Sequence, residues 1–98
     1  MRVYWTDRAK QRLKEIQVYI AQEDTQVAQQ IIHQILIRSQ QIAELPFSGR
    51  KVPEYQRHEL REMLEKPYRI IYRLHSEQVD VLTVMHYRQL LSNDYKNL

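Results

Sequence analysis

The segment Tyr68-Arg69-Ile70-Ile71-Tyr72-Arg73-Leu74-His75-Ser76-Glu77-Gln78-Val79-Asp80-Val81-Leu82-Thr83-Val84-Met85-His86-Tyr87 decides the fold. Both arms are rich in β-branched and aromatic residues, a composition that favours strands. Ser76-Glu77 breaks them, so the arms read as Tyr68 to His75 and Val79 to Tyr87, paired as an antiparallel hairpin. With a two-residue loop, His75 faces Gln78, Arg73 faces Asp80, Ile71 faces Leu82 and Arg69 faces Val84. On the other face Leu74 meets Val79, Tyr72 meets Val81 and Ile70 meets Thr83, an apolar layer that must be covered. A one-residue slip would lose both the apolar layer and the match of Arg73 to Asp80. The same register predicts that Arg69, Arg73 and His86 share the face turned away from that layer, with His86 diagonal to Arg69 at roughly 7–8 Å between backbones. Ile71, Leu82 and Val84 also fall on this second face, which predicts partial cover by a loop or a partner.

Toward the N-terminus, Leu60 to Glu65 reads as a third strand, cut off from Tyr68 by Pro67. From Leu45 to His58 no period persists, and Pro46, Gly49 and Pro53 mark an irregular connection that holds the only glycine. Before it, Val27, Ala28, Ile31, Ile32, Ile35, Leu36 and Ile42 form a broad helical face running to about Ala43, with Asp24 or Thr25 as cap. Ala9, Leu13, Ile16 and Ile20 make a second helical stripe, capped by Thr6 or Asp7. Arg2-Val3-Tyr4-Trp5 is short, aromatic and β-branched, as a strand would be. The expected architecture is α+β: an N-terminal strand, a helical hairpin, then a three-stranded antiparallel meander whose sheet packs on the helices. Ser92 to Leu98 is polar enough to fray.

A length of 98 residues fits one domain, 1–98, with one modest core. Fifteen Lys and Arg against twelve Asp and Glu give a net charge of +3, which favours acidic partners such as nucleic acid or an acidic protein segment. The chain has no cysteine, which excludes disulfides and thiolate metal sites. No apolar run reaches the roughly 18 residues of a membrane span, and Met1 to Asp7 lacks a signal region, so a cytoplasmic protein is expected. His33, His58 and His75 lack metal-ligand spacing and read as surface residues.

Four local phrases in order, Gly49-Arg50-Lys51-Val52-Pro53-Glu54, Leu60-Arg61-Glu62, Pro67-Tyr68-Arg69-Ile70-Ile71-Tyr72-Arg73 and Val81-Leu82-Thr83-Val84-Met85-His86, resemble the successive signatures of the RelE/ParE toxin superfamily. Together they cover the second half of the chain, while the helical hairpin resembles the superfamily only in pattern. The resemblance implies the toxin of a bacterial type II toxin–antitoxin module, neutralised in a hetero-oligomer by a cognate antitoxin whose disordered segment folds along it. Two mechanisms are implied by its two branches. ParE-like members poison DNA gyrase, whereas RelE-like members enter the ribosome and cleave mRNA. Tyr68 to Arg73 and Val81 to His86 are more similar to the ParE branch. Neither mechanism implies a cofactor or metal, and a third reading is a relative that binds antitoxin without inhibiting growth.

Metal-free RNA cleavage needs a base for the 2′-hydroxyl, an acid for the leaving oxygen and a cation for the phosphate. Glu54, His86 and Arg69 fall on the matching positions of the superfamily's nucleases. The chain continues past His86-Tyr87 into Arg88-Gln89-Leu90-Leu91, unlike nucleases that end in a His-Tyr pair, and non-nuclease relatives carry the same trio. Arg69 and Arg73 offer bidentate forks for phosphate or carboxylate, against which stands a cross-strand ion pair of Arg73 with Asp80. Arg50, Lys51, Arg57, Arg61, Tyr87 and Arg88 complete the expected contact surface for antitoxin or target. Tyr4, Trp5 and Tyr72 read as packing residues before stacking platforms.

Overall fold

The computed structural model describes residues 1–92 and 95. Strand β1 (Arg2–Trp5) is followed by helices α1 (Asp7–Ala21) and α2 (Thr25–Glu44), then by strands β2 (Arg50–Lys51), β3 (Leu60–Glu65), β4 (Tyr68–Leu74) and β5 (Gln78–His86). The strands form one sheet in the order β1-β5-β4-β3-β2, antiparallel except for the parallel pairing of β1 with β5. The α+β architecture is the expected one, with two additions: β2, too short to show a period, extends the sheet, and β1 lies beside the last strand.

Thr6 caps α1, its hydroxyl oxygen accepting from the Ala9 amide at 3.1 Å while donating to the Val81 carbonyl at 3.0 Å, so the cap also ties the helix to β5. Asp24 caps α2 by accepting from the amides of Gln26 and Val27 at 3.0 and 3.1 Å. The expected helical stripes face the sheet except for Val27 and Leu36 of α2, which are exposed. Ala9, Ile16, Ile35 and Ile42 are buried against Ile70, Tyr72, Val79, Val81 and Val84, with Trp5, Leu13 and Ile20 packed at the margin. Tyr72 is fully buried, whereas Tyr4 is half exposed at the sheet edge.

The far face of the sheet carries a second core of Val52, Leu60, Ile71, Leu82, Met85, Leu91 and Tyr95, with Tyr55 packed against it. The cover expected for that face is therefore the chain's own loop and C-terminal segment. The expected fraying of Ser92 to Leu98 fails at its described end: the Ser92 carbonyl accepts a hydrogen bond from the Tyr55 hydroxyl, and Tyr95 is buried. The remaining residues of that stretch lie outside the described ones. Gly49 is required by close approach, since a Cβ there would lie 2.4 Å from the Tyr72 hydroxyl and 2.5 Å from the Glu62 carbonyl.

The hairpin register holds near its loop and changes beyond it. Leu74 pairs with Val79, Arg73 with Asp80 and Tyr72 with Val81 as expected, and a bulge then inserts Leu82, so that Ile71 pairs with Thr83, Ile70 with Val84, Arg69 with Met85 and Tyr68 with His86. The reason is burial. An uninterrupted register would put the Thr83 hydroxyl into the helix-facing core and Val84 outside it. The bulge exchanges them, Val84 joining the first core while Leu82 and Met85 join the second. Alternation then carries His86 to the helix side of the sheet, opposite Arg69 and Arg73, which corrects the shared face expected for the three.

Candidate functional site

Four charged side chains, from three strands and the loop between β2 and β3, converge on the second face. Arg69, on the central strand β4, has a side chain only 4% exposed. It donates to Glu54 Oε1 at 3.1 Å and Oε2 at 2.5 Å, to Glu62 Oε1 at 2.7 Å and to the Gln89 carbonyl at 2.6 Å. Glu62, fully buried on β3, is completed by Arg50 on β2, whose guanidinium reaches its other oxygen at 2.9 Å. The Oε2 of Glu54 also accepts from the Leu91 amide at 2.6 Å. Hydrogen bonding to Arg69, opposed by burial and aided by the Leu91 amide, pulls the Glu54 carboxyl down to about 2. The same Glu54 contact leads in holding Arg69 above the usual arginine range.

This arrangement is a closed ion cluster. Both Glu54 oxygens and both Glu62 oxygens have cationic partners, and a carboxylate held near 2 is a poor proton acceptor at neutral pH. Nor is Arg69 free to turn to a phosphate without leaving two carboxylates bare in a buried site.

His86 lies across the sheet from this cluster. Its ring stacks on Tyr87 at 5.0 Å and meets Tyr68 edge-on at 6.2 Å. Its Nδ1 accepts from the Arg88 amide at 3.2 Å, which leaves the proton of a neutral ring on Nε2. It lines a groove of about 530 Å³ with Arg12, Tyr19 and Tyr68, while Glu54 and Arg69 border a hollow of about 310 Å³ with Arg50, Tyr87, Arg88 and Leu90; Gln89 lines both. The structure therefore joins Glu54 with Arg69 and sets His86 apart.

The remaining candidates divide in two. Arg50, Tyr87 and Arg88 gather at the hollow, the Arg88 guanidinium lying 5.4 Å from the Tyr87 ring centre and donating to its hydroxyl at 3.0 Å. Lys51 follows Arg50 on β2 and is exposed. Arg57 is ion-paired with Glu59. Arg61 donates to the carbonyls of His58 and Gly49 and lies over the Phe47 ring. Arg73 stands opposite Asp80 but forms no ion pair with it among the described residues, because His75 and Gln78 each reach an Asp80 oxygen at 2.6 Å. His33, His58 and His75 are exposed, and no group of three or more potential metal ligands occurs among the described residues.

Sequence reading missed Glu62 and the stretch from Gln89 to Leu91. Glu62 had a signal: it alternates in phase with Leu60, and so shares the face of a buried residue. The C-terminal stretch had little, because its bonds to Arg69 and Glu54 are made by backbone groups.

No helix among the described residues is long and apolar enough to cross a membrane. A profile of the family described as "ParE toxin of type II toxin-antitoxin system, parDE" matches residues 3–91. A relative in Sinorhizobium fredii (strain NBRC 101917 / NGR234), "Putative toxin Y4kP", is 40% identical over 88 residues, which are 90% of each chain. The solved structure titled "Chromosomal ParDE TA system from P. aeruginosa" is similar with a TM-score of 0.72 over 88% of this chain and 95% of that one; at 19% identity this likeness concerns the fold. With the profile spanning both the helical hairpin and the meander, the chain belongs to the ParE family of type II toxin–antitoxin toxins.

Proposed function

We propose that this toxin arrests growth by binding and poisoning DNA gyrase, and that a cognate antitoxin neutralises it. The observation that carries this reading against mRNA cleavage is the closed cluster of Glu54, Arg69, Glu62 and Arg50, with His86 on the other face of the sheet. A nuclease centre needs a base, an acid and an available cation around one phosphate. Here the carboxylates are consumed by arginines, and the histidine lies beyond the sheet. What the surface offers is contact area of the kind a binding protein uses.

The helical hairpin supplies part of that area. Val18 and Tyr19 are 54% and 73% exposed, and Val27, Leu36 and Ile37 are exposed on α2. Exposed apolar side chains spread over two helices suit a segment that gains structure as it wraps them. The antitoxin is assigned to this face and to the basic sheet edge at Arg50 and Lys51. Hydrogen exchange with and without antitoxin should show added protection in both regions.

Supercoiling and DNA cleavage by purified gyrase, measured with folded toxin alone and with its antitoxin, test the mechanism. Expected are loss of supercoiling or trapped cleaved DNA, each reversed by antitoxin. Gyrase left untouched by toxin that does arrest growth would refute this mechanism and redirect attention to the ribosome.

A further inference from the structure

Leu90 is 83% exposed, yet both its neighbours are anchored. The Gln89 carbonyl accepts from buried Arg69, and the Gln89 side chain accepts from the His86 amide at 3.0 Å. The Leu91 amide donates to Glu54, and the Leu91 side chain enters the second core. Just before them, Arg88 and Tyr87 hold each other by a ring contact and a hydrogen bond, and the Tyr87 amide donates to the Pro67 carbonyl at 2.8 Å. The segment is thus pinned from both sides while the Leu90 side chain stands in solvent.

Buried ion pairs give little net stability over apolar packing, so a four-member cluster calls for another account. Apart from a bond between the Glu54 carboxylate and its own amide, the backbone bonds it makes outside the sheet among the described residues go to the segment carrying Leu90. We infer that Tyr87, Arg88 and Leu90 form a preorganised contact for the toxin's target, and that Glu54 and Arg69 are its positioning residues. The partner is a folded protein surface with an apolar recess for Leu90 and acidic groups beside it, matching Arg88 at the rim of the hollow. A small, fixed contact of this kind suits a preformed recess, where little ordering entropy remains to be lost on binding. The exposed apolar side chains spread over both helices of the hairpin suit a folding antitoxin segment better. The inference rests on the proposed binding mechanism and names the part of the toxin that performs it.

Leu90→Glu and Leu90→Ala in the full chain provide the test, since an exposed side chain can be changed without disturbing the core. Expected for Leu90→Glu is a rise of about tenfold or more in the toxin needed for half-inhibition of gyrase, and loss of growth arrest, with antitoxin affinity and urea midpoint as in wild type. Positioning is read by coupling. Glu54→Gln should weaken inhibition in the wild-type background and weaken it clearly less in Leu90→Ala, where only Tyr87 and Arg88 remain to be positioned, whereas a general structural role would add the same loss in both. Folded Leu90→Glu that inhibits and arrests growth like wild type would overturn the inference. If wild type arrests growth without touching gyrase, the mechanism fails separately, and growth arrest alone then decides whether Leu90 is the contact.

Discussion

Glu54 shows how much one carboxylate can be made to carry. Its side chain is 17% exposed and its oxygens meet Arg69 and the Leu91 amide, which together hold its pKa near 2 against an ordinary 4.5. A depressed carboxylate stabilises the fold above its unfolded pKa, and that stability is lost as pH falls through the folded one. The contribution is on the order of 3 kcal/mol, present at neutral pH and withdrawn between about pH 4.5 and 2. Wild type should therefore exceed Glu54→Gln in unfolding free energy at pH 7, and the gap should close toward pH 2. Urea unfolding at several pH values reads both, and a gap that stayed constant with pH would refute the assignment. The identities of Glu54 and Arg69 as special residues were legible in the phrases around Pro53 and Tyr68. Their mutual consumption was not, because it depends on β3 and β4 bringing Glu62 to the same guanidinium.

At the scale of elements, period and caps were readable and interruptions were not. The apolar stripe of α1 and most of that of α2 survive because helix periodicity is local, while Val27 and Leu36 at the margins of the broad α2 face stand exposed. β3 has its expected limits because Pro67 and the alternation bound it. The bulge at Leu82 escaped because Val81 to Met85 is nearly all apolar, so alternation cannot reveal an extra residue, and only the demand of two cores settles where Thr83 goes. That single insertion moves His86 to the other face and so decides which site residues can meet. The α2 cap is a smaller ambiguity that geometry resolves: Asp24 accepts two helix amides, while Thr25 is already helical. Asp24→Ala should cost about 1 kcal/mol in urea unfolding and Thr25→Ala much less. Equal losses would contradict the cap.

At the scale of the whole molecule, the sheet is shared between two cores. β4 sends Ile70 and Tyr72 to one and Ile71 to the other, and β5 sends Val79, Val81 and Val84 to one and Leu82 and Met85 to the other. Neither core can dissolve without exposing strands the other needs, so the two should melt as one cooperative unit. The C-terminal segment is part of this unit, because Leu91 and Tyr95 complete the second core and the Glu54 contact holds the backbone between the sheet and Leu91. Trp5, the only tryptophan, packs at the first core and reports on it from the far side of the sheet. Leu91→Ala, which creates a cavity only in the second core, should lower stability by about 2 kcal/mol. The Trp5 fluorescence transition in urea should shift by that amount and coincide with the transition seen by circular dichroism. If Trp5 kept its wild-type midpoint while circular dichroism moved, the second core would be a separately unfolding layer and the ion cluster only a local fastening. A common shift would mean that the segment carrying Leu90 is held with the full cooperative stability of the fold.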